Sequence, residues 1–102
     1  MSLGVAEYKG TLTPVAGTVS VPLVIHFGVI NQVIVVSTTD TTTFDVAIAN
    51  SSSHELYVSN DNTDTVSEKI DLAIRGNGVL TINNASADEE FTYYISVVER
   101  YD

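Results

Sequence analysis

The strongest constraint in this sequence is a period-two alternation of apolar and polar residues between turn-forming clusters, clearest in Val66–Glu99, VSEKIDLAIRGNGVLTINNASADEEFTYYISVVE. Ile70, Leu72 and Ile74 alternate with Asp71, Ala73 and Arg75. Gly76-Asn77-Gly78 supplies a turn, Val79–Ile82 a second run, and Asn83–Glu90 a polar connector. A third run starts at Phe91, with Tyr93, Ile95 and Val97 on one face and Thr92, Tyr94, Ser96 and Val98 on the other. Successive strand side chains point to opposite faces, so three such runs separated by turn signals specify antiparallel sheet.

The rest of the chain follows the same rule. Val5–Thr13 reads as a first strand ended by Pro14 and Gly17. The odd positions Val19, Val21, Leu23, Ile25, Phe27 and Val29 are all apolar, which predicts one long half-buried strand. Pro22 cannot donate to a ladder, so this strand is expected at an edge or with a bulge there, and Gly28 is a candidate bend. Asn31-Gln32 reads as a turn into a strand at Val33–Ser37. After a polar loop at 37–43, Phe44, Val46 and Ile48 mark the next strand. Asn50–Ser53 is a turn, Leu56 and Val58 mark a short strand, and 59–65 is a loop. The only helix-tolerant window, Ala85–Glu90, lacks an apolar face.

About eight strands, with turns roughly every ten residues, predict a single all-β domain over residues 1–102, an antiparallel β-sandwich of jelly-roll type. Its expected inner face is Val19, Val21, Leu23, Ile25, Phe44, Val46, Ile48, Leu56, Ile70, Leu72, Ile74, Ile82, Ile95 and Val97.

Charge narrows the partners. Thirteen acidic residues against four basic ones give a net charge of −9. Lys9, Lys69, Arg75 and Arg100 are too few and too scattered to neutralise a phosphate backbone or to favour an anionic membrane surface, so neither nucleic acid nor membrane is expected as a partner. The longest apolar stretch, Val21–Val36, is interrupted by His26, Asn31 and Gln32 and is too polar to span a bilayer. The Met-Ser-Leu-Gly start does not read as a signal peptide. Without cysteine there is neither a disulfide framework nor a thiolate metal site.

No stretch carries recognisable catalytic or cofactor chemistry, so the chain is expected to be no enzyme and to use no cofactor. His26 and His54 have no second ligand at a metal-binding spacing. Ser51–Ser53 lacks the glycine elbow of a nucleophile. Asn60-Asp61-Asn62-Thr63-Asp64 offers alternating oxygen ligands like the start of a calcium loop, but lacks its turn glycine and closing glutamate. Asp61 and Asp64, with the acidic run Asp88-Glu89-Glu90, are the candidates for a weak calcium ion. Tyr93 and Tyr94 point to opposite faces of one strand and cannot both belong to a sugar-stacking platform. The glycosylation tripeptides at Asn50 and Asn84 say little without a secretory signal.

One run breaks the one-apolar-face rule of a sandwich strand. Val33-Ile34-Val35-Val36 is apolar on both faces, Val24 and Ile30 add apolar surface to the weaker face of the preceding strand, and Tyr94 and Val98 do so on the last. A sandwich this small has no third layer to cover them, so association into a homodimer or homotrimer is expected, through Val24, Ile30, Val33, Val35, Tyr94 and Val98. A competing arrangement folds Val5–Thr13 over this face. If Val35 instead faces the core, the interface passes to Ile34 and Val36.

From about Phe44 to Val98, the elements FDVAI, ELYVS and EKIDLAIRGNGVLTINNASADEEFTYYISV resemble small β-sandwich proteins of tailed-phage virions. The resemblance implies a structural protein located in a virion, with other virion proteins as further partners. The same pattern is less closely similar to β-sandwich domains appended to secreted bacterial peptidases, which implies instead a secreted module binding carbohydrate or calcium. In that group a glycine precedes the final tyrosine strand, where this chain has Glu89-Glu90.

Overall fold

Alternating Val, Ile and Thr residues form eight strands: β1 (Ser2–Leu12), β2 (Val19–Leu23), β3 (Phe27–Ser37), β4 (Thr43–Asn50), β5 (Glu55–Thr63), β6 (Thr65–Arg75), β7 (Gly78–Asn83) and β8 (Phe91–Tyr101). The computed structural model describes residues 2–25, 27–38, 43–86 and 89–101. The strands make two antiparallel four-stranded sheets, a long one in the order β1-β8-β3-β6 and a short one in the order β2-β7-β4-β5. Only β4 and β5, among consecutive strands, pair with each other; every other connection passes from one sheet to the other. This is the connectivity of a jelly roll, as the sequence pattern predicts.

The core lies between the sheets. Leu23, Ile25, Ile30, Val33, Val35, Phe44, Val46, Ile48, Val66, Ile74, Leu80, Ile82, Phe91, Ile95 and Val97 are buried there. The Phe44 and Phe91 rings meet edge to face, with centroids 4.8 Å apart. Burying each large aliphatic or aromatic side chain contributes about 1.5–3 kcal/mol. All fourteen residues expected on the inner face are buried or pack against this cluster, Val19, Val21, Leu56, Ile70 and Leu72 being half-buried.

Three expectations need correction. Residues 59–65 are not a loop: β5 runs on to Thr63 and β6 begins at Thr65, with Asp64 alone between them. The apolar row from Val19 to Val29 is not one strand: β2 ends at Leu23 in the short sheet, and the chain crosses to the long sheet before β3 begins at Phe27. The crossing shifts which residues face inward, so that after Leu23 and Ile25 the buried positions are Gly28 and Ile30. Asn31-Gln32 is not a turn but lies inside β3, where the register against both β6 and β8 shifts between Ile30 and Gln32. An extra residue in one strand reverses the facing of everything beyond it. Ile30 faces inward because of the crossing, and Val33 and Val35 because of this shift, so all three, expected at a subunit interface, are fully buried in the chain's own core.

Backbone geometry fixes two positions. A Cβ on Gly28 would sit 2.7 Å from the Val98 carbonyl oxygen and 2.9 Å from Val97, so only glycine lets β3 approach β8 there. Between β1 and β2, Val15 and Thr18 exchange backbone hydrogen bonds of 3.0 and 3.2 Å across Ala16 and Gly17. Both central residues have positive φ, 54° and 85°, the signature of a type I′ turn. Alanine is strained in that conformation, whereas Asn-Gly is its preferred sequence. Ala16→Asn should accordingly raise the unfolding free energy by about 1 kcal/mol, read as a higher urea midpoint at unchanged slope.

Candidate functional site

Two outward faces remain once the core is accounted for. On the long sheet the strand registers align four rows. The first joins Val5 to Val98, Val98 to Val29 and Val29 to Ala73. The second runs Glu7, Ser96, Gln32 and Lys69, the third Lys9, Tyr94, Ile34 and Ser67, and the fourth Thr11, Thr92, Val36 and Thr65. Val5 is 69% exposed, while Val29, Ile34, Val36, Tyr94 and Val98 are half-buried beside their neighbours. The Tyr94 hydroxyl donates to the Glu7 carboxylate (2.5 Å), and this bond raises its pKa above the ordinary tyrosine value. The result is an apolar stripe next to a polar row that is acidic at one edge and basic at the other.

The outer face of the short sheet is different. Ala47 and Ala49 on β4 form a low floor between β5 and β7, leaving a shallow cleft of about 190 Å³ lined also by Asp45, Glu55, Val58, Asn60, Thr81 and Asn83. That is smaller than the roughly 300–1,000 Å³ of a typical small-molecule site. Of its polar residues, Asp45, Thr81 and Asn83 are hydrogen-bonded to residues outside the lining. Asp45 accepts the Asp61 backbone N–H (2.8 Å) on one oxygen and the Asn84 side-chain amide (2.5 Å) on the other. Thr18 donates to Asn83 (2.6 Å), and the Ser20 and Thr81 hydroxyls share a bond of 3.0 Å. Asp61 and Asn84 both have φ of 56°, so one carboxylate holds two left-handed residues, one in β5 and one after β7.

The calcium candidates fall in two places, each with structural duties. In the β5 segment, Asn62 donates to the Phe44 and Ser59 carbonyls (3.2 and 2.8 Å) and accepts from the Ser59 hydroxyl (2.8 Å), tying the bulged strand to β4. Asp64 makes the one-residue link between β5 and β6, and its carbonyl accepts the Ser37 N–H (2.8 Å). Glu89 is only 1% exposed; its carboxylate accepts the Ser37 hydroxyl and the Ser86 backbone N–H (3.1 Å). Glu90 is exposed and contributes its carbonyl to Thr38. Asp88 and His26 lie outside the described residues. No group of three or more His, Cys, Asp or Glu among the described residues is arranged to hold a metal ion. His54 is exposed, and its backbone N–H closes the Asn50 turn by donating to the Asn50 side chain (2.9 Å).

Of the expected interface residues, Tyr94 and Val98 do lie on the outer face of the long sheet. Val24 is 69% exposed but sits on the link between β2 and β3, where its carbonyl accepts the Tyr8 hydroxyl (2.7 Å). Sequence reasoning did not bring Val5, Val29 and Ala73 into this face. The alternation placed Val29 inward, and the partner strands of Val5 and Ala73 depend on long-range order.

No family model matches the chain, and no curated protein matches it. Among solved structures it is similar to a carbohydrate-binding module, CBM36, in complex with calcium and xylotriose, at 12% identity and a TM-score of 0.46, covering 97% of this chain and 93% of that one. It is also similar to the Yersinia pseudotuberculosis-derived mitogen, at 13% identity and a TM-score of 0.48, covering 97% of this chain and 88% of that one.

Two predictions follow the polar groups. Asp45→Ala removes the shared acceptor of two left-handed residues and should cost about 2 kcal/mol in chemical unfolding. The buried Tyr57 hydroxyl makes no well-formed hydrogen bond among the described residues, and its pKa is pushed up to about 12, first by burial and then by the nearby Glu68 carboxylate. The unfolded chain therefore releases this proton at lower pH than the folded one, so its titration leaves stability unaffected below pH 10 and lowers it between pH 10 and 12. Tyr57→Phe should leave stability at pH 7 unchanged or higher and move the midpoint of alkaline unfolding upward.

Proposed function

We propose that this protein is a non-catalytic structural component that works by assembly, docking the outer face of its long sheet against a second copy. The observation that carries this reading is the Val5–Val98–Val29–Ala73 row with Ile34, Val36 and Tyr94 beside it. Four strands about 4.8 Å apart, each of about eleven residues, give a face of roughly 700 Å², close to the roughly 800 Å² each partner contributes to a standard interface. The polar row adds complementarity. Turned about a two-fold axis parallel to the strands, Glu7 of one copy lies over Lys69 of the other. A phage virion is the setting suggested by the resemblance of residues 44–98, and mass spectrometry of purified particles tests it.

Light scattering between micromolar and millimolar concentration tests the assembly. Val98→Glu puts a charge on the outer face without touching the core and should raise the dimer dissociation constant at least about tenfold; Thr81→Glu, on the opposite sheet, should not. A chain that stays monomeric throughout rules the reading out. A second reading rests on the cleft of the short sheet, whose acidic and amide lining suits a sugar or a weakly held calcium ion in a secreted module. It calls for a positive glycan array or a calcium-dependent rise in melting temperature, both blank if the protein serves assembly alone.

A further inference from the structure

The sandwich has four edge strands, β1 and β6 on the long sheet and β2 and β5 on the short one. An exposed edge is a template for further pairing unless something blunts it. β2 has five residues and contains Pro22. β5 is broken by register shifts against β4 at Phe44/Val46 and at Ile48/Ala49. β6 carries Glu68, Lys69, Asp71 and Arg75 along its length. β1 is blunted least: it contains no proline, pairs with β8 without a shift from Ser2↔Tyr101 to Leu12↔Phe91, and carries only the two charges of Glu7 and Lys9.

The charges on β1 say what it can pair with. Glu7 and Lys9 lie on the same face of the strand, one on either side of Tyr8. In antiparallel self-pairing about a two-fold axis, directly opposed residues share a face, so the axis must pass through a residue. An axis through Glu7 opposes Glu7 to itself, and one through Lys9 opposes two ammonium groups. An axis through Tyr8 sets each Glu7 against the Lys9 of the other copy, Val5 against Thr11, Ala6 against Gly10 and Gly4 against Leu12. Tyr8 is already fixed for this role, its hydroxyl donating to the Val24 carbonyl at 2.7 Å with the Glu99 carboxylate 3.1 Å away.

We propose that β1 is a second self-association surface, pairing antiparallel with β1 of another copy about a two-fold axis through Tyr8, so that two long sheets join into one of eight strands. The inference rests on the assembly reading but uses the sheet edge rather than its face, and the two can fail separately.

A charge swap tests it by sedimentation. Glu7→Lys and Lys9→Glu each place like charges opposite one another twice per dimer and should weaken edge association about tenfold or more. The double variant restores both pairs and should recover the native association. Face docking predicts otherwise, because lysine at position 7 would then meet Lys69 of the other copy. The register is read by the double variant Val5→Cys, Thr11→Cys in a chain with no other cysteine. Six residues apart on one strand, these positions are roughly 20 Å from each other and cannot bridge within one chain, whereas the proposed register opposes them. Mild oxidation should yield a covalent dimer on a non-reducing gel. Native association that survives Lys9→Glu, or failure of the cysteine pair to cross-link, overturns the edge proposal. If that surviving association is abolished by Val98→Glu, the face reading stands alone. Monomer at every concentration overturns both.

Discussion

The register shift at Asn31 decides which half of β3 belongs to the core. β3 lies between β8 and β6 in the middle of the long sheet, and its Val33–Val36 run is apolar on both sides. Hydrophobicity alone does not choose between the two facings of such a run. With Asn31 as the extra residue, Val33 and Val35 join Ile95 and Phe91 inside, and Gln32 moves outward into line with Glu7, Ser96 and Lys69. The same shift leaves Ile34 and Val36 on the outer face. Core composition and the apolar character of the free face are thus two results of one backbone irregularity.

This explains where the sequence was legible and where it was not. Strands with one apolar face, such as β4 with Phe44, Val46 and Ile48, could be read directly, because a period of two leaves a single solution. The sandwich and its inner residues follow from those strands. The break between β2 and β3 was hidden because the apolar alternation continues through the sheet crossing at Val24 and Ile25, and no proline or glycine pair announces it. The bulge was hidden because Asn31-Gln32 carries the same local signal as a turn. The outer-face rows were out of reach for another reason: Val5 meets Val98 only because β1 pairs with β8, a contact between opposite ends of the chain.

The acidic and amide-rich loops show why polar clusters in a small sandwich are poor guides to chemistry. Asp45, Asn50, Asn62 and Glu89 each satisfy backbone or hydroxyl donors where strands bulge or turn. Left-handed residues stand at the sheet-crossing links (Ala16, Asp64 and Asn84), in the β4–β5 turn (Ser53) and within the irregular β5 (Asp61), and the backbone groups freed at such places need partners. In this chain much of the oxygen-rich side-chain chemistry serves as mortar for the fold.

The position of β8 also bears on how the molecule comes into being. It is the last strand in the chain, yet it lies between β1 and β3 in the long sheet. Until residues 91–101 leave the ribosome, β1 has no neighbour in that sheet and β3 has one instead of two. Vectorial synthesis therefore cannot build this sheet strand by strand. The earlier segments must wait, with their apolar faces open, for the final one to slot between them. Topologies dominated by such distant pairings fold on the slow, millisecond-to-second side of small domains. During that wait, a nascent chain offers its unpaired strands to any neighbouring copy, and the acidic excess carried along its length keeps such chains apart.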